Sequence, residues 1–402
     1  MHMLRGRFCA FLLSILVPAA AGWAEFQVNE YTNHDQTHPA VAMSKSGDFA
    51  VAWRSHIGDG RGGGVFARCF GANGNPSGGE FKVNRTQIDV DNWAPAVALT
   101  EAGNVIVAWI DSQNGNCDLV ARVFDAQGQP VTEEFTVGFS SAAAAQSMPS
   151  ISMDSGGRFV IVWTNWTGGA YVGRSHVAGR VFQLDGSALS DEFVVAGDAQ
   201  ACWPDVAMDD SNKFVVTWLR MGDTYNRPYG EYVMFRRYQA DGTPAGDAVR
   251  VTGDLNNRWY GPSIAVDGGG QFAITWAIGP FPYDICMQTF DASGTAVTAP
   301  YIINTCLAGN QGHPCIAGNG QGEYLVVWDS QDQDGAGLGV FGQCCRRDGD
   351  LQGPELPLTT YTMGRQWYPE VAMAPNGQYI VVWLSQDQDG SGYGVFAETG
   401  PK

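Results

Sequence analysis

Seven five-residue runs, apolar at nearly every position and each ending on tryptophan, recur along the chain. Examples are Phe-Ala-Val-Ala-Trp at 49–53, Phe-Val-Ile-Val-Trp at 159–163, Tyr-Leu-Val-Val-Trp at 324–328 and Tyr-Ile-Val-Val-Trp at 379–383. A strand that is apolar at consecutive positions must be covered on both faces. Fourteen residues before each tryptophan stands a proline: Pro39/Trp53, Pro95/Trp109, Pro149/Trp163, Pro204/Trp218, Pro262/Trp276, Pro314/Trp328 and Pro369/Trp383. The proline opens a second run, such as Pro-Ala-Val-Ala-Met at 39–43, where a missing N–H does least harm to a strand. Three residues after it the side chain is small throughout, at Ala42, Ala98, Ser152, Ala207, Ala265, Ala317 and Ala372, which suits strands converging on an axis.

Two further runs complete each unit. One resembles Gly-Val-Phe-Ala-Arg-Cys-Phe at 64–70, the other Glu-Phe-Lys-Val-Asn at 80–84, with Gly, Asn and Asp clusters marking the hairpins between them. Successive prolines are 56, 54, 55, 58, 52 and 55 residues apart, a period that marks a repeat architecture. The predicted fold is all-β: a seven-bladed β-propeller with four antiparallel strands per blade. The last copy stops at its third strand, and its fourth is found as Glu25 to Asn29, so residues 25–29 are expected to pair with the last blade and close the ring. The repeat units span about 25–79, 80–133, 134–191, 192–247, 248–299, 300–354 and 355–402.

The unit P-x-V-A…F-V-V-x-W-x-S-Q-D-x-D-G-x-G-x-G-V-F…E-F-x-V-N resembles secreted bacterial β-propeller repeat proteins. The match is best at Ser330 to Gly335 and Ser385 to Gly390, and the likeness covers 25–402. It implies the fold and no particular chemistry. Residues 1–24 read as a signal peptide, with Arg5 and Arg7, an apolar stretch from Phe8 to Val17 and a small-residue zone ending at Ala24. Export to the periplasm, the cell surface or the exterior follows. Removing 1–24 takes two of the 23 basic residues and none of the 41 acidic ones, leaving 21 against 41. That balance argues against nucleic-acid partners, and no second apolar stretch argues for membrane insertion. A soluble monomer is expected. Eight cysteines remain after Cys9, and a hairpin disulfide between Cys286 and Cys306 is one expectation.

Strand alternation puts the first-to-second and third-to-fourth connections on one face, where lengths are constant. The other face varies: from the tryptophan to the matched point in the third strand the chain takes 13, 11, 15, 16, 10, 13 and 13 residues. Variable loops on a constant frame are where binding residues collect. His38, Trp93, Trp203, Trp259, Tyr260, His313, Trp367 and Tyr368 stand there, just before the prolines, and are the candidate ligand-binding residues. Trp166, Tyr171, Tyr225, Tyr229, Tyr232, Phe281 and Tyr283 lie in the neighbouring loops. Aromatic planes beside polar groups suit a glycan or the side chains of an extracellular protein. Asp332 with Asp334, and Asp387 with Asp389, are candidate Ca²⁺ ligands, though an Asp-Gly turn explains the same residues. His34, His38 and His56 form a weaker metal candidate. No catalytic motif is present, so the leading expectation is an exported, non-catalytic binding protein. The alternatives are a glycosidase or lyase using face carboxylates such as Asp59, Asp111, Asp223, Asp284 and Asp329, or a structural surface protein without a discrete site.

Overall fold

A computed structural model of the chain describes residues 25–56, 63–85, 94–111, 117–138, 144–167, 174–197, 200–221, 231–253 and 260–400. The described residues form seven antiparallel sheets of four strands each and no helix. The first blade comprises β2 (Gln36–Met43), β3 (Phe49–Ser55), β4 (Gly64–Phe70) and β5 (Phe81–Lys82), taken from the axis outward. Neighbouring blades bury their faces together, as where Phe49, Val51 and Trp53 meet Ile380, Val382 and Leu384. All seven repeated tryptophans are buried at such faces. Among the described residues no helix is long and apolar enough to cross a membrane.

The last blade consists of β26 (Gln366–Met373), β27 (Tyr379–Gln386), β28 (Tyr393–Gly400) and, as its outermost strand, β1 (Phe26–Gln27). Phe26 pairs with Ala397 and Gln27 with Phe396, so the expected closure is present. Val28 is fully buried and donates to the Val395 carbonyl at 2.9 Å, while Asn29 Oδ1 accepts from Val395 N at 2.8 Å.

The repeated polar residues stitch this frame. The asparagine ending the fourth strand caps the start of the third, through Val65 N to Asn84 Oδ1 (2.7 Å) and Ile285 N to Asn304 Oδ1 (2.7 Å). The glutamate opening the fourth strand reaches the blade before it. Glu80 accepts from Glu30 N (2.9 Å), Glu134 from Arg85 N (2.8 Å), Glu355 from Thr305 N (3.1 Å) and Glu25 from Thr360 N (2.8 Å). Buried indoles find acceptors too, as in Trp53 Nε1 to Gln36 Oε1 (3.2 Å) and Trp328 Nε1 to Gln311 Oε1 (3.1 Å). The asparagine and indole bonds satisfy groups that would otherwise be buried without a partner.

The cysteine expectation is corrected. All eight described cysteines are free thiols. Met287 pairs with Tyr301, and Cys286 therefore faces Ile302, because the hairpin turns early, with Phe290 bridging Ala296 and not Tyr301. Cys306 lies beyond the strand, its thiol turned toward the Ala308 carbonyl at 3.7 Å.

Candidate functional site

In five blades the innermost strand loses register over two residues: the one before the repeated proline and the proline itself. The gaps lie between Thr37 and Ala40, Ser147 and Ser150, Cys202 and Asp205, Gly312 and Cys315, and Trp367 and Glu370. Proline cannot donate to the ladder, so a bulge there costs one bond fewer than elsewhere. The preceding residue takes a left-handed conformation, with φ of 52° at His38 and Met148, 50° at Trp203, 46° at His313 and 52° at Tyr368. Such values are uncommon for residues other than glycine and hold only where the surroundings impose them. In the fifth blade the residue is Gly261, where an added Cβ would fall 2.8 Å from Cβ of Trp203.

The bulges gather an aromatic arc at the channel mouth on the variable face. The His313 ring lies 3.9 Å from that of Tyr368 and 4.6 Å from that of Tyr260, measured between centroids. Tyr368 packs on Trp367 at 4.6 Å and His38 on Tyr368 at 5.8 Å. Beneath them Asp329, buried at 3% exposure, binds His313 Nδ1 through Oδ2 at 2.6 Å and accepts from Tyr368 N at 3.3 Å. This pairing holds Nδ1 of His313 toward the carboxylate and leaves Nε2 to face other partners. Burial, and then the Asp329 charge, push the phenols of Tyr260 and Tyr368 above their usual range. Burial first, then the nearby Arg54 and His313, lower His38 to about 4, so its imidazole is neutral at pH 7.

Five of the eight expected ligand-binding residues, His38, Tyr260, His313, Trp367 and Tyr368, thus share one cluster. Trp203 stands further round the ring against Gly261. Trp93 and Trp259 lie outside the described residues, as do Asp59, Tyr171, Asp223, Tyr225 and Tyr229, and as do Asp89 and Asp91, which repeat the paired-aspartate spacing more weakly. Trp166 is core, donating from Nε1 to Ser147 Oγ at 2.8 Å, and Tyr232 carries the Arg250 guanidinium 3.5 Å above its ring. Phe281 is 72% exposed and touches Tyr283, which meets Tyr260 at 5.9 Å.

The paired-aspartate loops use their carboxylates internally. Asp332 Oδ1 accepts from Gly337 N (3.2 Å) and Asp334 Oδ1 from Ala336 N (3.3 Å). Asp387 and Asp389 do the same with Gly392 N and Ser391 N, each at 3.2 Å. His34 turns to His56 with ring centroids 6.3 Å apart, while His38 faces the channel. Among the described residues no group of three or more His, Cys, Asp or Glu side chains is disposed to hold a metal ion.

A polar arc in the channel has no counterpart in the sequence reading. The residue after the proline is Ala40, Ala96, Ser150, Asp205, Ser263, Cys315 and Glu370 in turn. Asp205 accepts from Ser150 Oγ (2.7 Å), Ser263 Oγ (3.0 Å) and Ile264 N (2.9 Å), and the Cys315 thiol donates to Glu370 Oε2 (3.3 Å). Val206 N and Ile316 N likewise bond the serine of the preceding blade at 3.2 and 3.3 Å. These side chains therefore satisfy the open inner edge of the neighbouring strand. Glu370 opens onto channel solvent while protein surrounds it, and that enclosure raises its carboxyl to about 7, with Asp205 adding to the effect and the Cys315 bond opposing it. At the opposite mouth a cavity of about 280 Å³ is lined by Met43, Met208 and Met373, with Lys45 and Asp210 bridged across it at 2.8 Å.

No protein-family model matches the sequence, and no curated protein matches it. Solved structures do. A protein of unknown function from Dyadobacter fermentans aligns over 94% of this chain and 99% of its own, with TM-score 0.55 and 10% identity. The polysaccharide lyase Uly1 aligns over 97% and 94%, with TM-score 0.54 and 8% identity. An α-L-arabinanase from Penicillium chrysogenum, solved with arabinobiose, aligns over 76% and 92%, with TM-score 0.52 and 12% identity. At these identities the likeness is one of fold.

Proposed function

We propose that the protein works outside the cytoplasm as a glycan-binding propeller, with the ligand seated at the aromatic mouth. The observation that carries this reading is the convergence of His38, Tyr260, His313, Trp367 and Tyr368 over the buried Asp329. Sugar rings present an apolar face and a rim of hydroxyls, and an aromatic arc with an imidazole and a carboxylate answers both. Holding five non-glycine residues left-handed costs about 1–3 kcal/mol each. That cost is consistent with selection for what the side chains touch.

The test is a glycan-array screen with and without Ca²⁺, followed by titration of the best ligand into Tyr368→Ala and His313→Ala. Both variants should bind at least about tenfold more weakly, the loss expected for a stacking or hydrogen-bonding contact. An effect of Ca²⁺ would bring in the Asp332/Asp334 and Asp387/Asp389 loops. Unchanged affinity in both variants, or binding only to an extracellular protein, rejects the reading.

One observation favours a second reading, polysaccharide cleavage. His313 is oriented by Asp329, and the neighbouring Tyr260 phenol is held protonated. A base and an acid so placed suit β-elimination better than hydrolysis by two carboxylates, since Asp329 is already engaged. One of the solved structures of the same fold is of a polysaccharide lyase, Uly1. Growth of unsaturated-uronate absorbance with a panel of uronate-containing glycans would support it, and ligand binding without product would exclude it.

A further inference from the structure

The outer half of every blade carries one cross-strand position whose chemistry can be followed around the ring. On the third strand it is Arg68, Arg122, Arg180, Arg236, Gln288, Gln343 and, in the closing blade, Glu398. In six blades the side chain is a donor, bonding the carbonyl about ten residues ahead. Arg68 Nε reaches Gly78 O and Arg122 Nε reaches Thr132 O, both at 3.1 Å, and Gln288 Nε2 reaches Thr298 O at 2.8 Å. The register continues one step along the strand from Ala67↔Phe81, Ala121↔Phe135 and Gly179↔Phe193, which sets Arg68, Arg122 and Arg180 opposite Glu80, Glu134 and Glu192. In the closing blade Phe26↔Ala397 sets Glu25 opposite Glu398. The one pair that joins the two ends of the chain is therefore carboxyl against carboxyl, where other blades place a cation or an amide. Like charges directly opposite one another weaken a strand pair.

We propose that the facing carboxyls of Glu25 and Glu398 make ring closure a pH-sensitive latch, tight in mildly acidic medium and loosened once both are ionised. Glu25 is held in place by donors: Thr360 N and Oγ1 donate to its Oε2 at 2.8 and 2.7 Å, and Gln388 Nε2 donates to Oε1. Glu398 is the one that takes the proton, and burial together with the Glu25 charge raises it to about 7. The other titratable groups nearby are Tyr379 on β27, whose phenol is raised by burial and then by the Glu398 charge, and beyond it Cys344 on β24 (Leu338–Arg346). A carboxyl held above its unfolded pKa stabilises the closed form at low pH, and the benefit is lost as pH rises through about 7.

Hydrogen exchange on the full chain at pH 6 and pH 8, read as protection factors for the β1 and β28 segments, tests the latch. Wild type should lose protection several-fold there over this interval, short of the roughly tenfold that the unscreened shift gives between pH 6 and pH 8, because Glu398 is only partly buried. Glu398→Gln and Glu398→Arg should abolish the loss, and Arg should also raise protection at pH 8. Glu370→Gln, which removes the other carboxyl titrating near pH 7, should keep it. A wild-type profile that is flat, or a Glu398→Gln profile that falls as steeply as wild type, overturns the proposal. The wild-type profile decides the matter even where a variant fails to fold.

Discussion

The two faces of the ring are built to different rules. On the constant face the turns are closed by their own polar side chains: Asp154 Oδ1 accepts from Gly156 N and Arg158 N at 2.7 and 3.0 Å, Asp291 Oδ1 from Ser293 N and Thr295 N, both at 2.9 Å, and Asn319 Oδ1 from Gln321 N at 2.9 Å. Glycines supply the positive φ, and they also make room: a Cβ on Gly128 would come within 2.5 Å of the Phe81 ring of the preceding blade. On the variable face positive φ is forced on His38, Trp203, His313 and Tyr368. One face spends its unusual conformations on residues that tolerate them; the other spends them on residues that can recognise something.

Three changes would break or sharpen this contrast. The largest effect should come from removing residues 25–29, on which both faces depend. Losing buried Val28 and the Asn29 cap should cost on the order of 5 kcal/mol, read as a fall in the urea midpoint. A truncated chain that unfolds like the intact one would mean closure contributes little. Next, Gly128→Val on the constant face should cost about 2–3 kcal/mol, since it combines positive φ with a clash against Phe81. The smallest effect on stability is expected at the mouth. His38→Gly relieves the left-handed strain and removes a buried Nδ1 that has no partner, at the expense of its contact with Tyr368. Its stability should stay within about 1 kcal/mol of wild type, while glycan affinity falls. A large destabilisation here would make the mouth part of the frame and erase the distinction.

The blade count, the strand order and the closing strand were all legible because the proline-to-tryptophan interval never changes. The pre-proline residues were legible as a group, since the same interval puts them all at one mouth. What they do there was not. A two-residue bulge shifts the register, and a shift of one residue exchanges the faces of a strand. That shift decides that His313 meets Asp329 and that Tyr368 N meets it too, and no local pattern announces it. The channel arc was hidden differently. Ala40 and Ala96 make the position after the proline look like filler, and Asp205 and Glu370 emerge only when the seven copies are laid side by side.

The glutamate that reaches back one blade has a mechanical consequence. Four sectors lean in this way on the one before them, the last on the sixth through Glu25 and Thr360 and the first on the last through Glu80 and Glu30. An open stack of repeats can fray from its ends, one module at a time. A hoop has no ends to fray, so strain at any sector is shared by the whole circumference, and melting should proceed as a single event.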